Sequence, residues 1–347
     1  MKFLKSLPHS VPRTIVILSI IICFCLVFPV GRTSAVVLGE TGSSLDAADG
    51  TSELVSIMNL NLRYILTTWW PSEKDYVYAA ATNMNSDQQL TAERSSAIKN
   101  SAERFADWKN TDLLPILYLS REQAENGIRP VSHAIYCISL ALYYDYFDEE
   151  IVCISRDDAQ AMCIKLIRSV VEEHRSNHPG SQEDQYWGDS RQSPLWAENI
   201  GLGAWLLRDR MEPETYAKVE RMVLDEANRL TYDYEIPYYM DKNGDIVYPG
   251  DTKGEEIAWM AKILALARFM FPDSEHCPDW SEILERMLVS ATALPEDAGS
   301  ERTIDGQKVG DLINGSNVNE DGTVVNTDLI HIDYMATILE EMGDTIT

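Results

Sequence analysis

Apolar residues recur at helical spacing along most of the chain, and this periodicity constrains the fold more than any other feature. The first stripe holds Leu54, Met58, Leu62 and Ile65, and similar stripes follow, separated by Pro, Gly and polar clusters. Strand-like segments are short and do not alternate with the helices, which argues against a parallel sheet. We therefore predict a mainly all-α fold of paired helices around a common centre. This is a complete or incomplete α/α toroid with small β-hairpins in its connections.

Capping and turn residues define the boundaries of these helices. The predicted helices cover approximately residues 54–69, 92–108, 130–147, 155–175, 195–210, 212–231, 255–271, 278–294 and 329–342. Ser155 is followed three residues later by Asp158, which resembles a capping box, while Pro130 and Pro213 suit first helical positions. Asn243-Gly244 predicts one β-hairpin, and residues 303–309 predict another.

The first 35 residues have the layout of a secretory signal peptide. Lys2, Lys5 and Arg13 precede an apolar run over residues 15–30, and Thr33-Ser34-Ala35 offers small residues for cleavage. We therefore predict a secreted or cell-surface protein. An uncleaved leader is the alternative, and it would be the protein's one contact with a membrane.

Two further segments complete the predicted domain organisation. Residues 36–50 are rich in Gly, Ser and Asp, which predicts a flexible linker. Residues 51–347 then form the helical toroid domain, and a C-terminal truncation of that domain is left open.

Acidic residues greatly outnumber basic residues in this chain. It holds 29 Lys and Arg against 55 Asp and Glu, for a net charge of −26. Four of the basic residues and none of the acidic ones lie in the predicted leader, so the remainder carries about −30. Because phosphate binding requires a basic face, this charge argues against nucleic acid as a partner.

The cysteines leave two alternatives open. Cys137, Cys153, Cys163 and Cys277 follow the leader, and no two of them form a CxxC pair, so no structural zinc site is expected. After export, these four could form disulfides in three possible pairings. However, Cys137 and Cys163 lie in apolar helical patterns, which favour buried free thiols.

Residues 314–334 combine turn-forming residues with groups suited to catalysis. Asp321-Gly322 predicts a tight turn, residues 323–325 predict a short strand, and a helical pattern begins at Leu329. A segment of this kind contributes little to a hydrophobic core, and functional residues frequently lie in such connecting segments.

Asn326, His331 and Tyr334 are the predicted catalytic residues of this segment. His331 and Tyr334 are three residues apart, so they would share one side of a first helical turn. A phenol beside a cation can act as a base, and an amide can hold a carboxyl group in its neutral form. These groups suit proton abstraction next to a carboxylate, which begins uronate β-elimination. The alternative is that His331 caps the helix and Tyr334 packs into the core.

A polar loop over residues 176–193 combines an aromatic ring with hydrogen-bonding groups. The Trp187 ring could stack on a sugar, while Asp189 and Gln192 could form directional hydrogen bonds with it. Arg191 could pair with a carboxylate through two bonds. These four residues are predicted to bind substrate, and a structured loop without that role is the alternative.

Acidic residues near the start of the predicted helix 255–271 offer a different chemistry. Asp251 and Glu255, together with Asp189 and Glu198, could supply the acid and base of glycoside hydrolysis. Asp251 and Glu255 are also predicted to contact substrate. The alternative is that acids at this helix start are favoured by the helix dipole alone.

The segment after Asn317 matches a calcium loop only in part. Asn317, Asn319, Asp321 and Asp328 fall on positions 1, 3, 5 and 12 of that loop pattern. Asn at the first position and Asp at the last reduce the ligand charge, so we expect no cofactor, with calcium as a weak alternative. Asn317 is instead predicted to bind substrate, and no metal cluster is expected elsewhere.

Three blocks of sequence resemble a known family. Residues 187–207 (WGDSRQSPLWAENIGLGAWLL), 250–267 (GDTKGEEIAWMAKILALA) and 315–335 (GSNVNEDGTVVNTDLIHIDYM) are similar to secreted helical-toroid proteins akin to heparinase II/III-like and alginate-lyase-like polysaccharide lyases. The resemblance implies that Asn326 neutralises the uronate carboxylate, while His331 and Tyr334 carry the proton. In that family Asn is expected to be followed directly by His, and this chain has Thr327 there.

Together, these features lead to three functional hypotheses. The leading one is a carbohydrate-active protein that cleaves a uronate-containing polysaccharide by β-elimination. The second is a glycoside hydrolase on the same scaffold. The third is a non-catalytic carbohydrate-binding or cell-envelope protein.

Overall fold

The computed structural model describes residues 47–66, 124–181 and 186–346. The predicted leader, most of the predicted linker and the predicted helix at 92–108 lie outside these residues. Across the described part, 64% of residues are helical and strands are few and short. The prediction of a mainly helical protein is therefore confirmed. Among these residues, no helix combines the length and the apolar character that a membrane span requires.

The described part contains ten α-helices. They are α1 (Ala47–Tyr64), α2 (Ala124–Tyr143), α3 (Glu149–Val152), α4 (Arg156–Glu172), α5 (Ser193–Leu206), α6 (Pro213–Tyr232), α7 (Gly254–Met270), α8 (Cys277–Ala291), α9 (Val309–Leu312) and α10 (Ile332–Ile346). Short 3-10 helices occupy Arg175–Asn177, Arg208–Arg210 and Pro295–Gly299.

Six two-residue strands pair antiparallel in this part of the chain. They are β1 (Met240–Asp241), β2 (Thr303–Ile304), β3 (Gln307–Lys308), β4 (Gly315–Ser316), β5 (Val325–Asn326) and β6 (Leu329–Ile330). β1 pairs with β4, β2 with β3, and β5 with β6. In the last pair, Val325 lies opposite Ile330 and Asn326 opposite Leu329.

The chain divides into two compact units. One comprises residues 1–190 and 199–219, and the other comprises residues 191–198 and 220–347. In the first unit α2 packs against α4 and α1 packs against α3. The Asn59 amide holds the chain between α2 and α3, because its nitrogen donates to Tyr146 O at 2.8 Å and its oxygen accepts from Asp148 N at 2.8 Å.

The second unit is organised around α7, which packs against both α8 and α10. α7 is buried on almost every side, which its sequence of mostly apolar residues permits. Trp280 of α8 and Ile338 of α10 are also buried. The first turn of α7 therefore lies on the best-buried helix of this unit, next to the loop that precedes it.

Local signals explain the helix boundaries that were predicted correctly. Ser155 caps α4, and its side chain accepts a hydrogen bond from the Asp158 backbone nitrogen. Pro213 is the first residue of α6, and α7 ends at Met270, two residues before Pro272. The hairpin predicted at 303–309 is confirmed as β2–β3, with its turn at Asp305-Gly306.

Three predicted boundaries are wrong. α1 begins at Ala47, so the end of the predicted linker is helical. Pro130 lies inside α2, which begins at Ala124. The one hydrogen bond that Pro130 removes lies close to the helix start, and the buried residues Val131 and Ile135 follow it on the same helix.

The helix predicted from Leu329 is the third wrong boundary. Leu329 and Ile330 form β6, and α10 begins at Ile332. Thr327 and Asp328 both adopt positive φ, at 51° and 62°, as a two-residue hairpin turn between twisted strands requires. Neither residue is a glycine, so the usual turn signal was absent.

The turn predicted at Asn243-Gly244 is present in the structure. Gly244 has a φ of 88°, and its nitrogen donates to Asp241 O at 3.1 Å, but the main partner of β1 is β4. Cys137, Cys153, Cys163 and Cys277 are free thiols. Burial raises the pKa of Cys137 to about 12 and also raises that of Cys163, so both thiols stay protonated.

Candidate functional site

Three carboxyl groups meet where the loop before α7 joins its first turn, and we name Asp251, Glu255 and Glu256 the acidic cluster. One oxygen from each carboxyl group lies within 4.8 Å of the others. Glu255 and Glu256 are buried, whereas Asp251 is half-buried. The sequence singled out Asp251 and Glu255, and the structure brings them together.

Backbone contacts from the β5–β6 hairpin hold this loop in place. The Thr252 backbone nitrogen donates to Val325 O at 2.8 Å, and the Thr252 hydroxyl accepts from Val325 N at 2.9 Å. Asp328 N donates to Gly250 O at 3.1 Å. Gly250 has a φ of 74°, and a Cβ atom there would lie 2.2 Å from Asp328 Oδ1, so only glycine fits. The hairpin and the acidic cluster are thus one structural unit.

Two cations neutralise two of the three carboxyl groups. The buried Lys253 ammonium contacts Asp251 and lies 3.5 Å from Glu256 Oε1. Arg191 Nη1 lies 3.0 Å from the same Glu256 oxygen. The Lys253 ammonium also lies 5.1 Å from the centre of the Tyr248 ring, in cation–π geometry.

The Glu255 carboxyl group is ionised less readily than an ordinary glutamate. Burial raises its pKa to about 7; the hydrogen bonds from its own backbone and from Asn326 act against this rise, and the charges of Glu256 and Asp251 add to it. Burial also raises the pKa of Glu256, against the lowering effect of Arg191 and Lys253. Near neutral pH, Glu255 therefore exchanges between its neutral and ionised forms.

Asn326 lies beside these acids. It is half-buried in β5, and its amide nitrogen lies 3.5 Å from Asp251 Oδ1. The amide also lowers the pKa of Glu255, because its N–H groups favour the ionised form of that acid. An amide N–H that faces carboxylates can equally be offered to a substrate carboxylate.

His331 and Tyr334 contact each other at the start of α10. Their rings stack with centroids 4.6 Å apart and planes 19° apart. His331 Nδ1 lies 3.1 Å from Asp333 Oδ1, which orients the imidazole. His331 N donates to Val324 O at 3.0 Å, so the imidazole is anchored to the chain just before β5.

Trp259 links these rings to the acidic cluster. Its ring meets the Tyr334 ring edge-on, with centroids 6.2 Å apart. Trp259 follows Glu255 by four residues in α7, so both lie on one face of that helix. Asn326 contacts Asp251 in the loop just before α7, and Tyr334 contacts Trp259. The three predicted catalytic residues therefore lie around the first two turns of α7.

Trp187 does not have the exposure that sugar stacking requires. Its side chain is fully buried, its Nε1 donates to Val170 O at 2.8 Å, and its ring meets the His174 ring edge-on at 4.5 Å. Its backbone also bonds to Glu173 and Arg175 on both sides. Trp187 thus fixes its loop to the end of α4, and we correct its predicted role to a packing one.

Asn317 is also structural rather than substrate-binding. It is fully buried, its oxygen accepts from Tyr239 N at 2.8 Å, and its nitrogen donates to Pro237 O at 3.1 Å and Ser290 O at 3.0 Å. Asn317 was the residue at the first position of the possible calcium loop. Its side-chain oxygen, which would be the calcium ligand there, accepts a backbone hydrogen bond instead. Asp321 bonds to Thr323 within its own turn.

The other predicted substrate-binding residues occupy different positions. Arg191 is exposed and reaches the acidic cluster. Gln192 is half-buried ahead of α5, and its backbone oxygen accepts from Leu195 N at 3.1 Å. Asp189 is half-buried in the preceding loop. Glu198, a candidate acid, is buried and lies 3.5 Å from the Lys262 ammonium.

Lys253, Glu256 and Trp259 were missed as site residues by the sequence analysis. All three stand in the block that begins at Asp251, and helical spacing from Glu255 could have identified Trp259. Lys253 carried no such signal, because a lysine at a helix start is normally solvated. The acidic cluster has the residue types of a cation site. However, the Lys253 ammonium already contacts two of its members.

No protein-family model, no curated protein and no solved structure matches this chain.

Proposed function

We propose that this is a secreted or cell-surface carbohydrate-active protein that cleaves a uronate-containing polysaccharide by β-elimination. Its helices would be arranged as an α/α toroid, and residues 1–35 would act as its export signal. The site would lie around the first two turns of α7, and the substrate polysaccharide would be its principal partner.

The convergence of Asn326, His331 and Tyr334 around these turns carries the proposal. They come from β5, from the residue before α10 and from the first turn of α10, and they are linked to the start of α7 through Asp251 and Trp259. All three are half-buried, so each retains a surface that substrate can reach. By contrast, Glu255 is only 1% exposed.

Each residue has a separate role in the proposed reaction. The Asn326 amide donates to the uronate carboxylate and stabilises the charge that develops when C5 loses its proton. Tyr334, next to the His331 imidazole, acts in its phenolate form and takes that proton, which makes it a neutral phenol. The C4–O bond then breaks as the C4=C5 double bond forms, and the Tyr334 phenol returns the proton to the leaving oxygen. Arg191 holds a second carboxylate of the polymer.

The test uses a panel of acidic polysaccharides and the ultraviolet absorbance of newly formed unsaturated ends. We expect wild-type protein to produce this absorbance and Tyr334→Phe to lower kcat by about 100-fold or more. Tyr232→Phe is the matched control, since Tyr232 is an exposed tyrosine at the end of α6. Absence of the signal with every polysaccharide, from folded wild-type protein, would contradict β-elimination.

A glycoside hydrolase is the second candidate, and the Asp251–Glu255 pair favours it. Their oxygens lie within 4.8 Å, close to the separation of about 5 Å that retaining hydrolases use. The pKa of Glu255, raised to about 7 by burial, also suits a general acid. Hydrolysis would release reducing ends without the unsaturated product. Polysaccharide binding with neither product would instead identify a non-catalytic binding protein.

A further inference from the structure

The acidic cluster holds more carboxyl oxygens than the partners around it satisfy. One oxygen from each of Asp251, Glu255 and Glu256 lies within 4.8 Å of the others. Glu255 is only 1% exposed and Glu256 only 6%, and the Oε2 atom of each is buried without a hydrogen-bond partner. Because a buried polar atom without a partner costs free energy, two such atoms in one cluster point to a ligand that binds there.

The two cations of the cluster contact other oxygens. The Lys253 ammonium contacts Asp251 Oδ2 and lies 3.5 Å from Glu256 Oε1. Arg191 Nη1 lies 3.0 Å from that same Glu256 atom. Among the described residues, no ion pair involves Glu255. The Oε2 atoms of Glu255 and Glu256 are therefore available to a further positive ligand.

We infer that the acidic cluster binds a calcium ion through the carboxyl groups of Asp251, Glu255 and Glu256. Calcium lies about 2.3–2.6 Å from each oxygen that it binds, so two oxygens on one ion are at most about 5 Å apart. The cluster meets this limit, since one oxygen from each carboxyl group lies within 4.8 Å of the others. The inference goes beyond the proposed function, because calcium binding needs no polysaccharide.

The ligand types favour calcium over other metal ions. Carboxylate oxygens suit calcium, magnesium and manganese, whereas zinc and copper sites normally include His or Cys, which the cluster lacks. Magnesium requires near-octahedral geometry at about 2.0–2.1 Å and gives up its water reluctantly, so buried carboxyl groups suit it less well. Water completes the calcium ligands beside Asp251, which is half-buried and gives the ion its route of entry.

The charge of the cluster suits a divalent ion once Arg191 has withdrawn. The Arg191 side chain is 54% exposed, so its guanidinium can move into water at little cost, whereas the buried Lys253 stays in place. Three carboxylates beside the one Lys253 ammonium leave two negative charges, which a single calcium ion neutralises. We therefore expect calcium to compete with Arg191 for Glu256.

Calcium titration of the full-length protein by isothermal titration calorimetry, after removal of metal with a chelator, tests the inference. We expect a Kd of about 10⁻⁴ M, at the tight end of the range for extracellular calcium sites. Magnesium should bind at least about tenfold more weakly, for the geometric reason given above. No binding of calcium at about 10 mM, or equal affinity for magnesium, would overturn the inference.

A variant of the cluster shows where calcium binds on this acidic chain. Glu255→Gln removes one charged ligand, so it should weaken calcium binding by at least about tenfold. Glu296→Gln is the matched control, because Glu296 is exposed and lies outside the cluster. Equal affinity in wild type and in folded Glu255→Gln would place the calcium elsewhere and overturn the inference.

Arg191→Met tests the expected competition and keeps the inference falsifiable if Glu255→Gln does not fold. Without the guanidinium on Glu256, calcium should bind about two- to fivefold more tightly than in wild type. Weaker binding in this variant would contradict the inference. Calcium bound as expected by a protein that cleaves no polysaccharide would support the calcium site and contradict only the proposed function.

Discussion

Two charged clusters on the same helix differ in what their charges do. The acidic cluster lies at the first turn of α7. The second cluster, which we name the lysine cluster, consists of Lys262, Glu198 and Glu341, and it joins α7 to α5 and α10. The Lys262 ammonium lies 3.0 Å from Glu341 Oε2 and 3.5 Å from Glu198 Oε2.

The difference lies in how each cluster balances its charge. In the lysine cluster one cation serves two acids on two other helices, so Lys262 holds three elements together. In the acidic cluster two cations serve Asp251 and Glu256, and Glu255 remains free to be neutral. The charges of the lysine cluster thus stabilise the packing of α7, whereas the acidic cluster retains a group, Glu255, that can carry a proton. The partners of a buried acid, rather than its burial alone, therefore decide its role.

Removal of the lysine from the lysine cluster should have the largest effect on stability. Lys262→Met removes the cation that pairs with the buried Glu198 and the half-buried Glu341, so we expect the free energy of unfolding at pH 7 to fall by about 3–5 kcal/mol. Urea denaturation measures this change. Lys308→Met is the control, because the Lys308–Glu301 pair is largely exposed and contributes little. Equal losses in both variants would mean that the lysine cluster is not a structural tie.

Glu255→Gln, which removes the charge of this residue, should raise the free energy of unfolding by an amount that depends on pH. Its pKa is raised from 4.5 to about 7 in the folded protein, so the unfolded chain releases this proton first. The associated stability is therefore complete below pH 4.5 and is lost as pH rises to about 7, by about 3 kcal/mol. Relative to wild type, Glu255→Gln should gain that amount between these pH values.

Denaturation series from pH 4 to 8 measure this relative gain. Glu296→Gln, at an exposed position, is the control and should run parallel to wild type. If the difference between Glu255→Gln and wild type does not change with pH, Glu255 does not carry a proton in the folded protein. Neither the acidic cluster nor the lysine cluster would then hold a group that gains and loses a proton.

Removal of the exposed cation of the acidic cluster should have the smallest effect on stability. Arg191 is 54% exposed, and Glu256 keeps Lys253 as a partner, so Arg191→Met should cost less than about 1 kcal/mol in the free energy of unfolding. Under the proposed function, it should instead raise KM for the polysaccharide. Steady-state kinetics with urea denaturation separate these effects, and a stability loss as large as that of Lys262→Met would contradict the comparison.

The fold was predictable wherever local chemistry controlled it. The Ser155 cap, Pro213 at the start of α6 and the turn at Asp305-Gly306 depend on neighbours in sequence, and each was predicted correctly. The β5–β6 hairpin was missed because its turn residues, Thr327 and Asp328, adopt positive φ without a glycine. Its contacts with Gly250 and Thr252 support it from outside the segment.

The candidate site was predictable in its residue types but not in their environments. Trp187 and Trp259 are both tryptophans close to acidic residues in sequence. The structure buries Trp187 completely against Val170 and leaves Trp259 half-buried beside Tyr334. Sequence spacing does not report this difference, because a ring is buried by residues that are distant along the chain.

The sequence by itself determined the helical character of this protein, its excess of acid and the residues that could carry chemistry, since these follow from composition and local periodicity. Only the tertiary structure decided which of those residues meet. Asp251 and Asn326 are 75 residues apart and yet form one hydrogen bond. The same long-range packing removes Glu255 from water, and desolvation is what raises its pKa to about 7.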